Sequence, residues 1–313
     1  MRRTVNGYVL VTVIWVLAIL SVITLGFGHR AIMSDRASAY SLDRVQAMML
    51  ARGAVQRGIV LLRNKAWHDF AAAGQHDPAT HLGQAWAKPG DLYSGIYTRG
   101  SDTSDEDEAR YVIEDLEGRW NVNQVDNDVL QNIEAITPPA RRRISARRTT
   151  GVSRENRPTT FHALEELRFV DGVKDEHWFG SDRFPGIRDV MTTVGDSRIN
   201  INTAPEAVLR SIPGLSRQAV ETIVHFRAGG DGEVGTSDDR GFKSLTHLAD
   251  ELDIGGDDLI ALERHCKTSS VFFKITGVGT RRAGRVRAQC SAIVEFHGPA
   301  ARIHAWQEEK VGS

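Results

Sequence analysis

The sequence predicts an α+β fold in which one long N-terminal helix packs on an antiparallel sheet, with a large, mostly α-helical domain inserted. Three observations predict this fold. The chain opens with an uncharged apolar run that leads into a proline-free stretch. Near the C-terminus, apolar and polar residues alternate with the period of half-buried strands. Between these regions, a pattern of strand, turn and helices occurs twice. With 313 residues, one or two domains are expected.

Residues 8–28 contain no charged side chain and are long enough to cross a bilayer, which takes about 20 helical residues. Arg2 and Arg3 precede this run, and positive charge tends to stay in the cytoplasm, so the rest of the chain is expected outside it. A cleaved secretory signal fits less well, because its apolar stretch is shorter. Two interpretations stay open: an uncleaved signal anchor, and a leader resembling those of type IV pilins. In such leaders a membrane peptidase cuts after the glycine, here Gly7, and Tyr8 becomes the new N-terminus.

The apolar run continues into a second helical stretch. No proline occurs between residues 29 and 64, and good helix formers dominate residues 41–63. The simplest prediction is one helix of roughly 57 residues from Tyr8 to Asn64, about 85 Å long. Its first half would lie in the membrane, and its second half would pack on the remainder of the protein.

Residues 66–108 show only weak periodicity. We predict two strands at residues 96–98 and 110–115, joined by an acidic loop at 100–108. Such a loop has the oxygen ligands that calcium prefers, although a solvated surface loop is the simpler interpretation.

The middle of the chain carries an internal repeat. Residues 118–123 (GRWNVN) resemble residues 197–202 (SRININ), about 80 residues later. Each copy is followed by a segment that opens with phenylalanine, Phe161 in the first copy and Phe242 in the second. We predict two strand-turn-helix units that form one helical subdomain. Residues 136–160 are basic and rich in proline, so a partly irregular loop is expected there.

The second copy has stronger helix signals. Thr203 is predicted to cap a helix that ends near Ser211, and Ser216 to cap the next helix after a tight turn. This arrangement resembles a helix-hairpin-helix motif, which is common in DNA-binding proteins. DNA-binding versions usually carry a second glycine where this chain has Ser216. A helix pair that serves for packing is therefore the preferred interpretation.

A glycine-rich acidic loop follows at residues 229–239 (GGDGEVGTSDD). Its carboxylates are Asp231, Glu233, Asp238 and Asp239, and its glycines allow backbone carbonyls to turn inward. Calcium takes six to eight oxygen ligands in flexible geometry, so these residues are the candidate calcium ligands. The loop does not follow the EF-hand pattern, and a plain acidic loop is the alternative.

The C-terminal region is predicted to form three antiparallel strands at residues 271–278, 286–296 and 302–307. With a turn near Arg281 and Arg282, Cys290 would lie opposite Phe273. Cys266 would then be roughly 20 Å further along. Two buried free thiols are therefore preferred over a disulfide.

Composition and motifs also limit the function. Lys and Arg (39) nearly balance Asp and Glu (40), which disfavours a nucleic-acid binder. The basic run at 140–148 is interpreted as a solvated loop. No catalytic triad spacing, phosphate-binding glycine loop or zinc-protease motif occurs, so no enzymatic activity is expected.

Taken together, these segments resemble the type II secretion system protein K family of minor pseudopilins. The resemblance rests on the leader, the apolar helix, IEDLEGRWNVN, FHALEELRFVDGV, RININTAPEAVLRSIPGL, the glycine–aspartate loop and the closing strands. It implies a pilin-like fold with the following division: leader 1–7, transmembrane helix 8–28, first pilin-like part 29–118, helical insertion 119–262 and C-terminal strands 263–313.

The resemblance also implies a location, partners and a cofactor. The protein would be anchored in the inner membrane by a single span, with its C-terminal domain in the periplasm. Its partners would be other minor pseudopilins of the tip complex, the major pseudopilin and the prepilin peptidase. Calcium sites would lie in the insertion. This chain departs from the family at residues 136–160, where members often have an aspartate-rich stretch, which places one of these sites in doubt.

Thr12 is a further departure from most pilin-like subunits, which carry Glu at the fifth residue after the cut. A carboxylate in a membrane is costly unless it is paired, and this Glu is thought to pair with the N-terminal amine of the neighbouring subunit toward the tip. A subunit with Thr12 needs no neighbour above it, which suggests a role at the filament tip. The simpler interpretation is that Thr12 faces lipid or bonds its own helix. The alternative function from another class is a membrane-anchored DNA-uptake receptor.

Overall fold

The computed structural model describes residues 6–71, 79–88, 90–91, 107–149, 160–236, 238–282 and 284–309. The predicted strand at 96–98 and most of the predicted acidic loop at 100–108 lie outside these residues. The described helices are α1 Asn6–Ala71, α2 Asn127–Asn132, α3 Pro138–Thr149, α4 Asp175–Phe179, α5 Ile187–Val190, α6 Glu206–Arg210, α7 Arg217–Arg227, α8 Leu245–Leu252 and α9 Gly256–His265. The described strands are β1 Gly90–Asp91, β2 Glu108–Asp115, β3 Trp120–Asn121, β4 Met191–Thr192, β5 Ile199–Asn200, β6 Cys266–Lys267, β7 Phe272–Arg281, β8 Val286–His297 and β9 Ala300–Glu309.

The predicted N-terminal helix is one continuous element of 66 residues, longer at both ends than the sequence indicated. Its apolar N-terminal half is exposed, while Ala47, Ala51 and Val55 in its second half are buried. The helix therefore has two environments along its length. One half packs on protein, and the other presents apolar side chains to its surroundings.

The main sheet has the strand order β1-β2-β7-β8-β9, and every neighbouring pair is antiparallel. Alternate residues of β8 are buried, as the period-two pattern predicts. The buried face packs against α1. Glycines make this approach close: a Cβ atom at Gly277 or Gly279 would collide with the backbone carbonyl oxygen of Ala51 or Ala47.

The predicted register of the β7–β8 hairpin is wrong by four residues. Cys290 lies opposite Gly277, and Phe273 lies opposite Val294. The turn lies further along the chain than predicted, because Arg282 takes a left-handed conformation with φ 51° and starts the loop there. Cys266 and Cys290 are both buried and free, so the preferred interpretation of the cysteines is confirmed. Burial raises the pKa of the Cys290 thiol to about 11.

Residues 116–271, between β2 and β7, are called the insertion below. In its first unit (residues 118–194) β3 pairs with β4 in parallel, and in its second unit (197–268) β5 pairs with β6 in the same way. The Asn-x-Asn segments form matching hydrogen bonds. The side-chain oxygen of Asn123 accepts from the Phe161 N–H at 2.8 Å, and that of Asn202 accepts from the Phe242 N–H at 2.7 Å.

The side-chain amides extend this correspondence. That of Asn123 donates to the Phe161 carbonyl at 3.0 Å, and that of Asn202 donates to the Phe242 carbonyl at 2.9 Å. The repeated sequence thus has a repeated structural role: in each unit the second asparagine of the Asn-x-Asn segment holds the phenylalanine that starts the later segment.

Two local predictions in the insertion are wrong. The partly irregular loop expected at 136–160, with its basic run at 140–148, is helix α3 over residues 138–149, and residues 150–159 lie outside the described part. The prolines of α3 occupy the first turn, where the missing N–H costs nothing, and Ala140 and Ile144 are buried. Thr203 does not cap α6, because its hydroxyl donates to a carboxylate oxygen of Asp115 at 2.6 Å instead. Pro205 occupies the N-cap position of α6 in place of Thr203.

Candidate functional site

The predicted processing site lies at the start of α1. The helix begins at Asn6 and continues through Gly7 and Tyr8, and the Tyr8 side chain is 84% exposed. Residues 1–5 lie outside the described part of the chain. Cleavage between Gly7 and Tyr8 stays a prediction.

Thr12 lies one turn further along and is bonded within its own helix. Its hydroxyl oxygen is 2.9 Å from the Val9 carbonyl oxygen and 3.1 Å from that of Tyr8. Ser21 and Thr24 donate to carbonyl oxygens four residues earlier in the same manner. Such bonds satisfy a hydroxyl in an apolar environment without a partner chain. Thr12 therefore places no uncompensated polar group on this surface.

The described part of the chain contains one helix that is long and apolar enough to cross a membrane, and its apolar window is not buried by the rest of the protein. Leu25 is 73% exposed and Val22 69%. A face this apolar needs lipid or other apolar helices around it, since water would leave it unfavourably solvated. This finding is compatible with a single-pass anchor.

The second candidate site is the loop at 229–239, where Asp238 organises the backbone. One carboxylate oxygen of Asp238 accepts from the N–H groups of Gly230 at 2.6 Å and Asp231 at 3.1 Å, and the other accepts from the Thr236 hydroxyl at 2.6 Å. These hydrogen bonds, that of Thr236 first, lower the pKa of Asp238 below its usual range. Asp238 is therefore a fixed, ionised carboxylate at the centre of the loop.

Asp239 is the buried carboxylate of the loop. Only 7% of its surface is exposed, and one oxygen, Oδ2, accepts from the Gly235 N–H at 2.6 Å. The other oxygen, Oδ1, is buried and has no hydrogen-bond partner. An ionised oxygen without a partner is costly in a protein interior. The positive charge that acts together with this carboxylate is the buried guanidinium of Arg227.

The other two predicted ligands lie on the surface. Asp231 accepts from the Glu233 N–H at 2.8 Å, and both side chains are exposed. Among the described residues, no three His, Cys, Asp or Glu side chains come together so that they could hold a metal ion. The structure thus brings Asp238 and Asp239 into ordered positions and leaves Asp231 and Glu233 outside. Calcium binding stays a prediction.

Arg227 was not predicted from the sequence, although it is central to this region. Its guanidinium is buried and donates to the Ala204 carbonyl oxygen at 2.7 Å. Burial lowers the pKa of Arg227 to about 10, and the charge of Asp239 partly offsets this. Arg148 is its counterpart in the first unit and donates to the Val125 carbonyl oxygen at 2.6 Å. In the sequence, the only sign of this role is that Arg227 occupies the same position in the second unit as Arg148 does in the first.

The turn of the helix-hairpin-helix-like pair is hydrogen-bonded to the carboxylate of Asp258. Ser216 caps α7 as predicted, with its hydroxyl oxygen 3.2 Å from the Ala219 nitrogen. Asp258 of α9 accepts from the Ser216 N–H at 2.6 Å and from its hydroxyl at 2.8 Å. The start of α7, where a DNA phosphate would bind in a nucleic-acid-binding version, is therefore occupied by a negative charge.

Known proteins resemble this chain in sequence and in structure. No protein-family model matches the chain. Over 125 residues the chain is 34% identical to the type II secretion system protein K of Pseudomonas aeruginosa, a match that covers 39% of this chain and 34% of that protein. The chain thus spans about a third of the length of the curated relative it matches.

The second match is structural. With a TM-score of 0.58, the chain is similar to a chain in the crystal structure of the GspK-GspI-GspJ complex from the type 2 secretion system of enterotoxigenic Escherichia coli. The match covers 88% of this chain and 100% of the other, at 13% identity. The resemblance to protein K is confirmed.

The fold predicted from the sequence is confirmed as well, because the likeness to a chain of this complex extends over most of the chain. Residues 136–160, where a departure from the protein K family is expected, contain α3 in their described part. Arg147 of α3 bonds the carboxylate of Glu166 at 2.5 Å and lies 4.0 Å from the centre of the Phe161 ring. A guanidinium thus neutralises the carboxylate in this unit.

Proposed function

We propose that this chain is a minor pseudopilin of a type II protein secretion system, of the protein K type. The observation that carries the proposal is the combination of one long apolar helix with a sheet that is interrupted by a two-unit helical insertion. The likeness to protein K in sequence and to GspK in fold supports it. The protein would sit at the tip of the periplasmic pseudopilus and help to start its assembly for export of folded proteins.

Membrane placement follows from the same helix. Residues 8–28 would span the inner membrane with the N-terminus in the cytoplasm and the globular part in the periplasm. Prepilin peptidase would cut after Gly7, and the new amine of Tyr8 would be methylated. The exposed apolar surface of α1 supports this proposal.

Mass spectrometry of the protein purified from membranes tests the processing route. The expected result is a mature N-terminus at Tyr8 that carries a methyl group. An intact Met1, or a cut near Ala31, would contradict the pilin route and favour a plain anchor or a secretory signal.

The proposed partners are other minor pseudopilins of the tip complex, together with the major pseudopilin below them. The name of the matched structure, a complex of GspK with GspI and GspJ, supports this choice. The rival function, a DNA-uptake receptor, is disfavoured because Asp258 occupies the start of α7. A DNA-binding assay at several salt concentrations separates the two, since phosphate contacts give affinity that falls steeply with salt.

Calcium is the proposed cofactor, held at the 229–239 loop. Asp238 and Asp239 would supply the anionic ligands, and backbone carbonyls and water the remaining oxygens, with Asp231 and Glu233 at the periphery. The buried, unpartnered oxygen of Asp239 supports the proposal. Bound calcium would give this oxygen the direct partner that it lacks.

Thermal unfolding of the full chain in detergent, in calcium chloride or in EGTA, tests this cofactor. A ligand present at 100 times its Kd stabilises the folded state by about 2.7 kcal/mol. The wild type and the control Asp257→Asn should show a rise in melting temperature with calcium, and Asp239→Asn should not. Equal melting temperatures in calcium and EGTA for the wild type would contradict calcium binding.

A further inference from the structure

The insertion and the helix-bearing sheet have separate hydrophobic cores. The buried apolar side chains of the insertion, from Trp120 to Cys266, pack with one another. Those of α1 and the main sheet, such as Val55 and Ile275, form a cluster of their own. Two bodies that do not share a large apolar interface are free to move relative to each other unless other contacts hold them. Polar contacts therefore decide how the insertion is oriented on the sheet.

The chain enters and leaves the insertion side by side. The insertion begins after Asp115, the last residue of β2, and ends before Phe272, the first residue of β7. These strands are neighbours in the sheet, and Asp115 lies opposite Phe273. Two adjacent connections alone would form a hinge, because a body that is held only there can swing about them.

The side chain of Asp115 bonds to both sides of this connection. Its oxygen Oδ2 accepts from the hydroxyls of Ser270 and Thr203, each at 2.6 Å, and from the side-chain amide of Asn200 at 3.0 Å. Its other oxygen accepts from the Glu117 N–H at 2.8 Å. Ser270 lies directly before β7, whereas Asn200 and Thr203 belong to the second unit. One carboxylate at the end of β2 thus holds the start of β7 and the second unit together.

Glu117 is the second carboxylate at this place, and it is only 2% exposed. Its oxygen Oε1 accepts from the Lys267 ammonium at 2.6 Å. Its oxygen Oε2 accepts from the N–H groups of Val271 at 2.5 Å and Phe272 at 3.2 Å. A buried carboxylate is costly unless it is paired and hydrogen-bonded, and here both conditions are met. Glu117 therefore fixes the beginning of the insertion to its end and to the first residue of β7.

The connection between the two units of the insertion reaches the same place. A carboxylate oxygen of Asp196 lies 3.3 Å from the Lys267 ammonium. Gly195 packs on the Glu117 side chain, since a Cβ atom at Gly195 would lie 2.9 Å from the Glu117 Cγ atom. The φ of Gly195 is 87°, a value that favours glycine. Glu117 thus also contacts the residues that join the first unit to the second.

We propose that Asp115 and Glu117 form a rigid joint, which holds the insertion in one orientation on the main sheet. Their hydrogen bonds connect the end of β2, the start of β7, the second unit and the connection between the units. Without these bonds, the insertion pivots about its two strand connections while each body keeps its own core. The joint makes α1, the sheet and the insertion move together, so a partner that binds the sheet also fixes where the insertion lies.

Distances between spin labels in the full chain in detergent test the joint. Each label is attached to an introduced cysteine at an exposed position. The pair Arg287→Cys and Gln218→Cys reports on the sheet relative to the insertion. Two reference pairs report on each body alone: Arg287→Cys with Arg302→Cys in the sheet, and Gln218→Cys with Glu251→Cys in the second unit. For the wild type, the joint predicts a single distance distribution between sheet and insertion that is as narrow as those of the reference pairs.

The native cysteines do not interfere with this labelling. Cys266 and Cys290 are both buried, and burial raises the pKa of each thiol. Because the thiolate is the reactive form, the exposed introduced cysteines react first. The chain without introduced cysteines, treated with the same reagent, measures any remaining label on Cys266 and Cys290.

The variant that tests the two carboxylates combines Asp115→Asn with Glu117→Gln. Amides keep the shape of these side chains but remove the charge and place N–H groups opposite the donors that surround them. We expect the single narrow peak between sheet and insertion to be lost, with both reference pairs unchanged. Glu108→Gln is the matched control, because Glu108 also lies on β2 but bonds Arg110 of the same strand at 2.7 Å. It should behave as the wild type.

Each outcome decides for or against the joint. Loss of the narrow peak in the double variant alone supports it. A broad distribution between sheet and insertion in the wild type overturns it. A peak that stays narrow in the double variant also overturns it, and assigns the orientation to other contacts, such as the bond from Asn200 to the Thr80 carbonyl oxygen. If the double variant also broadens a reference pair, Ser270→Ala, which removes one donor to Asp115, takes its place under the same criteria.

Discussion

Gly279 of β7 has no side chain, and this allows α1 to pack closely on the sheet. A Cβ atom there would collide with the carbonyl oxygen of Ala47. Overpacking a well-packed core typically costs 1–3 kcal/mol, so we expect Gly279→Ala to lower the stability of the full chain by about that amount. Gly53→Ala is the control, since Gly53 lies on α1 with open space around it.

Thermal unfolding of both variants in detergent measures the difference. Gly53→Ala should be neutral or stabilising by up to about 1 kcal/mol, because alanine is the better helix former. Equal losses in the two variants would mean that the helix does not lie as close to β7 as described.

Asp115 carries a pH dependence that the sequence did not indicate. Asp115 is partly buried, and this desolvation raises its pKa, opposed by hydrogen bonds from Ser270 and Thr203 and reinforced by the charge of Glu117. The folded state therefore holds the proton more tightly than the unfolded state. The stabilising contribution is complete below the ordinary aspartate pKa and is lost as the pH rises through the raised value.

Asp115→Asn should remove this contribution. We expect the melting temperature of the wild type to fall relative to Asp115→Asn as the pH rises from the ordinary aspartate pKa into the neutral range. Melting curves of both proteins across this window give the difference directly. A difference that is constant with pH would show that Asp115 ionises normally.

The contacts around Asp115 show why only part of this region could be predicted from the sequence. The sequence predicts a strand at 110–115, and it predicts the asparagine repeat from similarity between segments. Neither prediction tells which distant groups meet. Asn200 donates from one amide to Thr80, Asp115 and Ser270, which lie 70 to 120 residues away along the chain. Such contacts follow from the tertiary fold, not from local preference.

At the scale of elements, helix α3 and the β7–β8 turn were the two misjudged features. Prolines in the segment that contains α3 predict irregular structure, although two of them start the helix. In the β7–β8 hairpin, Arg282 has a positive φ and the loop lies two positions later than predicted, which shifts the pairing of the two strands by four residues. Both differences depend on the conformation of single residues, which a pattern of residue types does not specify.

The junction of α7 and α9 gives an element-scale prediction. Asp258 accepts two hydrogen bonds from Ser216 at the start of α7. Loss of a hydrogen bond to a charged group costs about 1.5–3 kcal/mol when both partners are well placed, and exposure reduces this. We therefore expect Asp258→Ala to destabilise the chain by about 1 kcal/mol.

Asp257→Ala is the matched control, because Asp257 is the neighbouring exposed carboxylate on the same helix and has no described bond to α7. Urea denaturation followed by circular dichroism measures both variants. Equal stability of the two variants would mean that Asp258 does not hold the helix pair together.

At the scale of the molecule, the residue at position 12 affects how subunits would be arranged in a filament. The Thr12 hydroxyl bonds the carbonyl oxygens of Tyr8 and Val9 in its own helix, so it needs no hydrogen-bond partner from a neighbouring subunit. A glutamate at the same position would place a carboxylate in the membrane, which is costly unless a cation or amine pairs with it. We therefore expect a subunit with glutamate there to be favoured beneath another subunit, and a subunit with threonine to be tolerated at the end.

Thr12→Glu therefore tests the tip position, with Thr12→Ala as the control that removes the hydroxyl but adds no charge. We expect Thr12→Glu to reduce the number of assembled pseudopili severalfold, because desolvating an unpaired carboxylate costs about 2.5–3.5 kcal/mol on insertion scales. Thr12→Ala should assemble like the wild type. Filament counts by electron microscopy, with membrane levels of each variant measured by immunoblot, decide the matter. Normal filament numbers and an unchanged tip position for Thr12→Glu would contradict the tip role while leaving the fold and the membrane anchor unaffected.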